Sequence, residues 1–178
     1  MENNNTLTGA RYNAKIVVLS GLFIALGILI PMVMPIKWID GVFSATLASH
    51  VPVMLAMFIN PFVAIAVSLG TALGFLIQLG PVVAIRAALH VLFAVVGAIM
   101  IKKERPMYLI IIVTLLLHTL SDMGIVYILF LTMGINLKGL SLSYTMTVIG
   151  IGTSIHHLVD FAITLPIYYA MRNAKLVK

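Results

Sequence analysis

Residues 107–133 read MYLIIIVTLLLHTLSDMGIVYILFLTM, an apolar block longer than the ~20 residues that a bilayer-spanning helix needs. Similar blocks recur along the 178-residue chain, which is 62% hydrophobic and has a mean hydropathy of +1.16. Only 9% of the residues are charged, whereas a soluble domain has roughly 25%. The composition excludes a soluble globular protein and a disordered chain. It predicts an all-α integral membrane protein.

Turn signals and charged loops divide the chain into six predicted spans, which we treat as one membrane domain covering residues 1–178. The spans are approximately 16–34, 42–59, 62–79, 82–101, 107–133 and 144–171. The second and third are separated only by Asn60-Pro61, so a re-entrant pair with a tight turn is an alternative there. The expected fold is a bundle of six transmembrane helices.

The distribution of basic residues predicts that both termini are cytoplasmic. With the N-terminus inside, the outer loops carry only Lys37 and Lys138. The inner segments carry Arg11, Lys15, Lys102, Lys103, Arg105, Arg172, Lys175 and Lys178. This bias accounts for the net charge of +6 and the pI of about 9.8 without a nucleic-acid partner.

Two absences in the sequence limit the chemistry. There is no Gly-rich phosphate loop, so we do not expect the chain to hydrolyse ATP itself. There are no cysteines, which excludes disulfides, thiolate chemistry and Cys-ligated metals.

Eight ionisable side chains nevertheless fall inside the predicted spans. Each costs at least ~2.5 kcal/mol at bilayer depth on insertion scales. We therefore expect each to face the bundle interior, a cavity or a partner. They are His50, Arg86, His90, His118, Asp122, His156, His157 and Asp160.

The last two spans repeat one spacing, because His118 and Asp122 are four residues apart, as are His156 and Asp160. In an antiparallel pair of helices these residues would form two His–Asp pairs, His118 with Asp160 and Asp122 with His156. Such pairs are a structural ladder or the floor of a ligand site, with Asp122 and His156 as candidate ligand contacts. A metal site is the less favoured interpretation, and we predict neither a metal nor a cofactor.

Arg86 lies about one turn inside the outer end of the fourth span, with no acidic residue within a turn of it. A guanidinium stays charged and binds carboxylates or phosphates in bidentate fashion. We interpret Arg86 as a cation at the floor of an outward-facing pocket for an anionic small molecule, with His90 one turn deeper. The alternative is an arginine that snorkels to the surface or pairs with Asp40 or Asp122.

Three further residues are candidate walls of this pocket: Trp38 in the first outer loop, His50 on the second span and Tyr127 outward of Asp122. The Trp38 ring could stack on a planar ligand or be an ordinary interfacial anchor. Asp40-Gly41 predicts a turn in the first loop, which is short enough to act as a lid.

Small residues at a spacing of four, in Gly21-x-x-x-Ala25 and Gly70-x-x-x-Gly74, allow close helix approach. Internal packing is the simpler explanation for most of them. The first helix could instead offer Gly21 and Ala25 to a partner protein.

The chain resembles the substrate-binding subunits, or S components, of energy-coupling factor (ECF) vitamin transporters. The resemblance covers nearly the whole chain and rests on its architecture and on local features. These are Leu19-Ser-Gly-Leu-Phe-Ile-Ala-Leu-Gly27, His50-Val-Pro-Val-Met-Leu-Ala-Met-Phe-Ile-Asn-Pro61 and Gly70-Thr-Ala-Leu-Gly-Phe75.

The resemblance implies a bacterial plasma-membrane complex with a transmembrane coupling subunit and two ATPases. It implies that an Ala-x-x-x-Ala motif of the first helix contacts the coupling subunit. Gly21 and Ala25 stand at the matching positions, with Gly in place of the first Ala. It also implies an outward pocket capped by the first loop and toppling of the subunit to release substrate inside.

Members of this family bind vitamins or their precursors. Arg86 favours a carboxylate-bearing vitamin: nicotinate first, because of its planar ring, and pantothenate second. Pyridoxine, a thiamin precursor and a corrinoid stay open. The main alternative from another class is an intramembrane metal-dependent hydrolase that uses the His/Asp set of the last two spans.

Overall fold

The computed structural model describes residues 3–134, 139 and 141–177 as a helical bundle with one small hairpin. Much of the predicted last outer loop, including Lys138, lies outside the described residues, as do Lys178 and the side chain of Arg11. The elements are α1 Asn3–Val33, β1 Lys37–Asp40, β2 Phe43–Thr46, α2 Val51–Met57, α3 Pro61–Leu79, α4 Pro81–Ala88, α5 His90–Lys102, α6 Met107–Met133 and α7 Leu142–Asn173.

Within the described residues, five helical segments are long and apolar enough to cross a membrane. They are Ala14–Val33, Pro61–Leu79, Pro81–Lys102, Met107–Met133 and Leu142–Asn173. Large apolar side chains cover their outer faces, among them Phe62 at 82% exposure and Ile77 at 80%. Such a surface is stable only in lipid, and the chain is a multi-pass membrane protein.

The structure differs from the predicted helix over 42–59. The hairpin of β1 and β2, with Gly41 at a positive φ of 61°, takes the first part. The seven-residue helix α2 takes the second, and all of its residues are buried. Irregular backbone is tolerated at membrane depth only inside protein or beside a cavity. Here α1, α3, α5 and α7 surround α2 and meet that requirement.

Helix α1 packs closely on α3 because glycines remove side chains from the contact. A Cβ added at Gly74 would lie 2.8 Å from Ile28 Cα, and one at Gly70 would lie 2.7 Å from the Ile24 side chain. The Gly70-x-x-x-Gly74 spacing therefore serves internal packing. By contrast, a Cβ at Gly21 would meet nothing within 4 Å, and Ala25 is exposed on the same helix.

Candidate functional site: a polar cavity inside the bundle

Arg86 is the buried cation of the site. It lies on α4, which begins at Pro81, and is only 5% exposed. One terminal nitrogen donates to Asp122 Oδ2 at 2.6 Å, and the other donates to the Val42 carbonyl at 2.9 Å. The guanidinium carbon lies 5.6 Å from the Phe43 ring centre. Arg86 is thus held between α6 and the hairpin rather than snorkelling to the surface.

Neither of the two predicted pairs between α6 and α7, His118 with Asp160 and Asp122 with His156, forms among the described residues. Asp122 pairs instead with Arg86 and accepts a hydrogen bond from Thr153. The antiparallel pairing predicts similar depths for the four residues, but it does not fix the rotation of each helix about its axis. A permanently charged guanidinium is also a stronger partner for a buried carboxylate than an imidazole is.

Asp160 is bound to the start of α2 instead of to His118. Its two oxygens accept from the backbone N–H of Ala48 at 2.8 Å and of His50 at 2.9 Å. His50 Nδ1 lies 3.1 Å from Oδ2, close enough to donate to it as well. The carboxylate therefore accepts from two amides of the turn before α2, in which Ala48 has a positive φ of 66°.

Four imidazole rings meet beside the carboxylates of Asp122 and Asp160. The His50 ring centre lies 4.4 Å from that of His156 and 4.5 and 4.7 Å from those of His90 and His118. His157 stands behind His118, with their Nδ1 atoms 3.1 Å apart. Two sets of ligand atoms could hold a cation: His50, His90 and His118, or His50, His156 and Asp160.

One narrow cavity of about 20 Å³ lies between these side chains, except that His157 and Asp160 are not in its wall. In this conformation it has room for about one water molecule. Of the seven predicted substrate-contact residues, the structure brings five together in its wall. They are Arg86, His90, His50, Asp122 and His156. The convergence of residues from the hairpin, the turn before α2, and α3 to α7 on one space is typical of a small-molecule site.

The other two predicted residues lie elsewhere. Trp38 is 48% exposed on β1 and packs edge-on against Phe43 with ring centres 5.0 Å apart. Tyr127 is 45% exposed on α6 and is not in the cavity wall. Trp38 is therefore not in the cavity wall but packs on Phe43, which is.

Sequence reasoning missed several liners. Phe43 and Ser49 could not be found, because the hairpin and the turn before α2 were read as one helix. Thr153 is three residues before His156 and so shares its face of α7, which was a usable signal. The remaining liners are Ser44, Phe75, Val83, Ala87 and His118, of which His118 was predicted only as a ladder residue.

Three buried polar atoms at the cavity have no hydrogen-bond partner among the described residues: Arg86 Nε, His90 Nδ1 and Asp122 Oδ1. A buried polar atom without a partner costs about 1–3 kcal/mol. Because all three lie around one space, a polar ligand with both donors and acceptors would satisfy them together.

The fold and the cavity define a class, a multi-pass membrane protein with a polar cavity inside its helical bundle. No family model matches the chain, and no solved structure matches it. A curated protein does: the chain is 35% identical over 156 residues to the niacin transporter NiaX of Lactococcus lactis subsp. cremoris (strain MG1363), covering 83% of this chain and 70% of the relative. The chain belongs to the S components of ECF vitamin transporters.

Proposed function

We propose that this S component captures niacin, as nicotinate, from outside the cell. The observation that carries the proposal is Arg86, a buried cation in the cavity wall whose Nε has no hydrogen-bond partner among the described residues. Its Nε and one terminal nitrogen offer the two parallel N–H groups that bind a carboxylate. The identity to a niacin transporter supports the same vitamin.

The aromatic part of the site suits a planar ring. Phe43 and Phe75 line the cavity, as do four imidazoles. In this proposal the cavity widens as the hairpin moves, so that the pyridine ring lies among these rings while the carboxylate takes over part of the hydrogen bonding of Arg86 with Asp122. Thr153, which already donates to Asp122, keeps that carboxylate from being stranded.

The hairpin of β1 and β2 is the proposed lid. It supplies Phe43 to the cavity wall, and its turn is tied to α7 by the Tyr144 hydroxyl, which donates to Asp40 Oδ2 at 2.9 Å. That contact is solvent-exposed and therefore contributes little to stability. Opening of the hairpin would break this contact and the hydrogen bond from Arg86 to the Val42 carbonyl, and it would expose the cavity.

Delivery inward is proposed to need a transmembrane coupling subunit and two ATPases. Gly21 and Ala25 lie on an exposed stretch of α1, where small side chains allow a partner helix to approach closely. In this orientation both termini are cytoplasmic and the membrane is the bacterial plasma membrane.

Titration of the purified protein with nicotinate by calorimetry tests the function, with nicotinamide and pantothenate as competitors. We expect saturable one-to-one binding of nicotinate. No binding of nicotinate would overturn the proposal, and tighter binding of pantothenate would reassign the vitamin. The identity to a transporter argues against the hydrolase alternative.

A further inference from the structure

We propose that His50, His90 and His118 bind one divalent transition-metal ion of the zinc class in the wall of the cavity. Their three ligand nitrogens all lie within 4.8 Å of one another, and all three residues are buried. Zinc bonds to imidazole are about 2.0–2.1 Å long, so small rotations of the rings would bring the nitrogens into one coordination sphere.

The hydrogen bonds of two rings orient their lone pairs. His50 donates from Nδ1 to Asp160, which in the neutral ring leaves the lone pair on Nε2. Metal-binding histidines almost always donate their other nitrogen to a carboxylate or carbonyl in this way.

A longer series of hydrogen bonds fixes the tautomer of His118. The Thr114 hydroxyl donates to the Ile110 carbonyl at 2.8 Å, so it accepts from His157 Nε2, 3.1 Å away. His157 Nδ1 then accepts from His118 Nδ1, and the His118 lone pair is on Nε2. His90 adds a nitrogen, Nδ1, with no partner among the described residues.

The charge of the cavity favours a cation at this place. The wall and its backing contain one arginine and two aspartates, which leaves one net negative charge when the histidines are neutral. An anionic vitamin adds another, and uncompensated buried charge is strongly unfavourable. A divalent ion on three neutral imidazoles would balance the cavity with nicotinate bound; this charge argument, unlike the ligand geometry, rests on the proposed function.

Three histidines also leave a coordination position open, as in zinc sites that bind a small ligand. Arg86, Asp122 and Thr153 line the same cavity. The proposed ion would therefore be reachable by the vitamin and not sealed in the protein.

The test uses the full chain, purified without a histidine tag, stripped with EDTA and dialysed against ZnCl2. We expect one zinc per chain. His90→Ala and His118→Ala should each weaken zinc binding by at least tenfold, while His156→Ala, the matched control, keeps it. Thermal unfolding in EDTA checks that each variant is folded.

Substitution of Co2+ for zinc gives a readout that needs no variant, because visible absorption bands report tetrahedral nitrogen ligation. Sub-stoichiometric zinc in the wild type, or binding unaffected by His90→Ala and His118→Ala, would overturn the inference. Loss on His156→Ala alone would also overturn it, by placing the ion with Asp160. Nicotinate binding without zinc binding removes the metal site but keeps the proposed function, and the converse result removes only the function.

Discussion

Arg86 and Asp122 form the buried ion pair on which both the stability of the site and the proposed recognition depend. Both side chains are at most 5% exposed, so each charge relies on the other. Removal of one partner from a buried pair typically costs 3–5 kcal/mol, because the other charge is left uncompensated. Stability and binding can therefore be separated only by changing both residues.

We predict that Arg86→Ala abolishes nicotinate binding and lowers the free energy of unfolding by about 3–5 kcal/mol. The double variant Arg86→Met with Asp122→Leu should regain most of the stability, since no charge is stranded, and should still not bind. Calorimetry and unfolding in detergent measure the two effects. A double variant that binds nicotinate would show that Arg86 is structural only.

The sequence predicts individual site residues where a polar side chain is energetically costly to place in the membrane. A charged side chain in an apolar block must be satisfied inside the protein, which is why Arg86, His50 and Asp122 were found as candidates. The sequence offers Asp122 and Asp40 as alternative partners of Arg86 but cannot choose between them, since rotation about a helix axis is set by packing. Phe43 could not be recognised in this way, because an apolar side chain in an apolar chain has no such energetic cost.

At the scale of elements, α2 depends on Asp160 of α7. The carboxylate accepts from two backbone amides at the start of α2 and lies beside the His50 ring. This contact joins residues more than a hundred positions apart and fixes the turn on which Ser49 and His50 face the cavity.

We predict that Asp160→Asn destabilises the protein by about 1–3 kcal/mol, because the amide cannot accept from both backbone amides and so leaves a buried donor unpaired. Asp40→Asn is the matched control, since its contact with Tyr144 is exposed, and should change stability by less than about 0.5 kcal/mol. Thermal unfolding in detergent compares the two. Equal effects would contradict the capping role.

The glycines of α1 and α3 give a second prediction for the elements. Gly74→Ala should destabilise the bundle, since the new Cβ would lie 2.8 Å from Ile28 Cα and backbone cannot move aside cheaply. Gly21→Ala should be neutral or slightly stabilising, because its Cβ meets nothing and alanine favours helix. The difference in melting temperature measures this, and a larger loss for Gly21→Ala would reverse our assignment of the two faces.

Trp38 is the only tryptophan of the chain and lies on β1 of the proposed lid. Because its ring packs against Phe43 in the cavity wall, we predict that nicotinate changes its fluorescence emission. The change should saturate at the concentration found by calorimetry. An unchanged spectrum on saturation would mean that the hairpin does not respond to the vitamin.

For the whole molecule, an apolar exterior surrounds a polar cavity. The membrane class was predictable because composition alone decides it. The sequence does not predict that residues 42–59 form one strand of a hairpin and a buried helix, because an apolar stretch of that length fits a lipid-facing helix equally well. What distinguishes the two is whether neighbouring helices enclose the segment, and that depends on the complete fold.

We predict that Gly21→Leu leaves nicotinate binding unchanged but prevents ATP-dependent uptake in cells with the coupling subunit and ATPases. The larger side chain would separate α1 from the partner helix. Gly124→Leu on α6 is the matched control, since its Cβ also meets nothing, and should leave uptake intact. Equal uptake by both variants would place the coupling surface elsewhere.

The complete burial of α2 also bears on how the chain enters the membrane during synthesis. A seven-residue helix is too short to span the bilayer, so we do not expect α2 to insert as an independent transmembrane segment. Its acceptor, Asp160, leaves the ribosome more than a hundred residues later. We therefore expect the segment from Phe43 to Met57, flanked by α1 and α3, to become enclosed only after α7 has been synthesised and packs against it. Nascent chains cut before Asp160 should leave this segment open to water-soluble thiol reagents at engineered cysteines, and completed chains should close it.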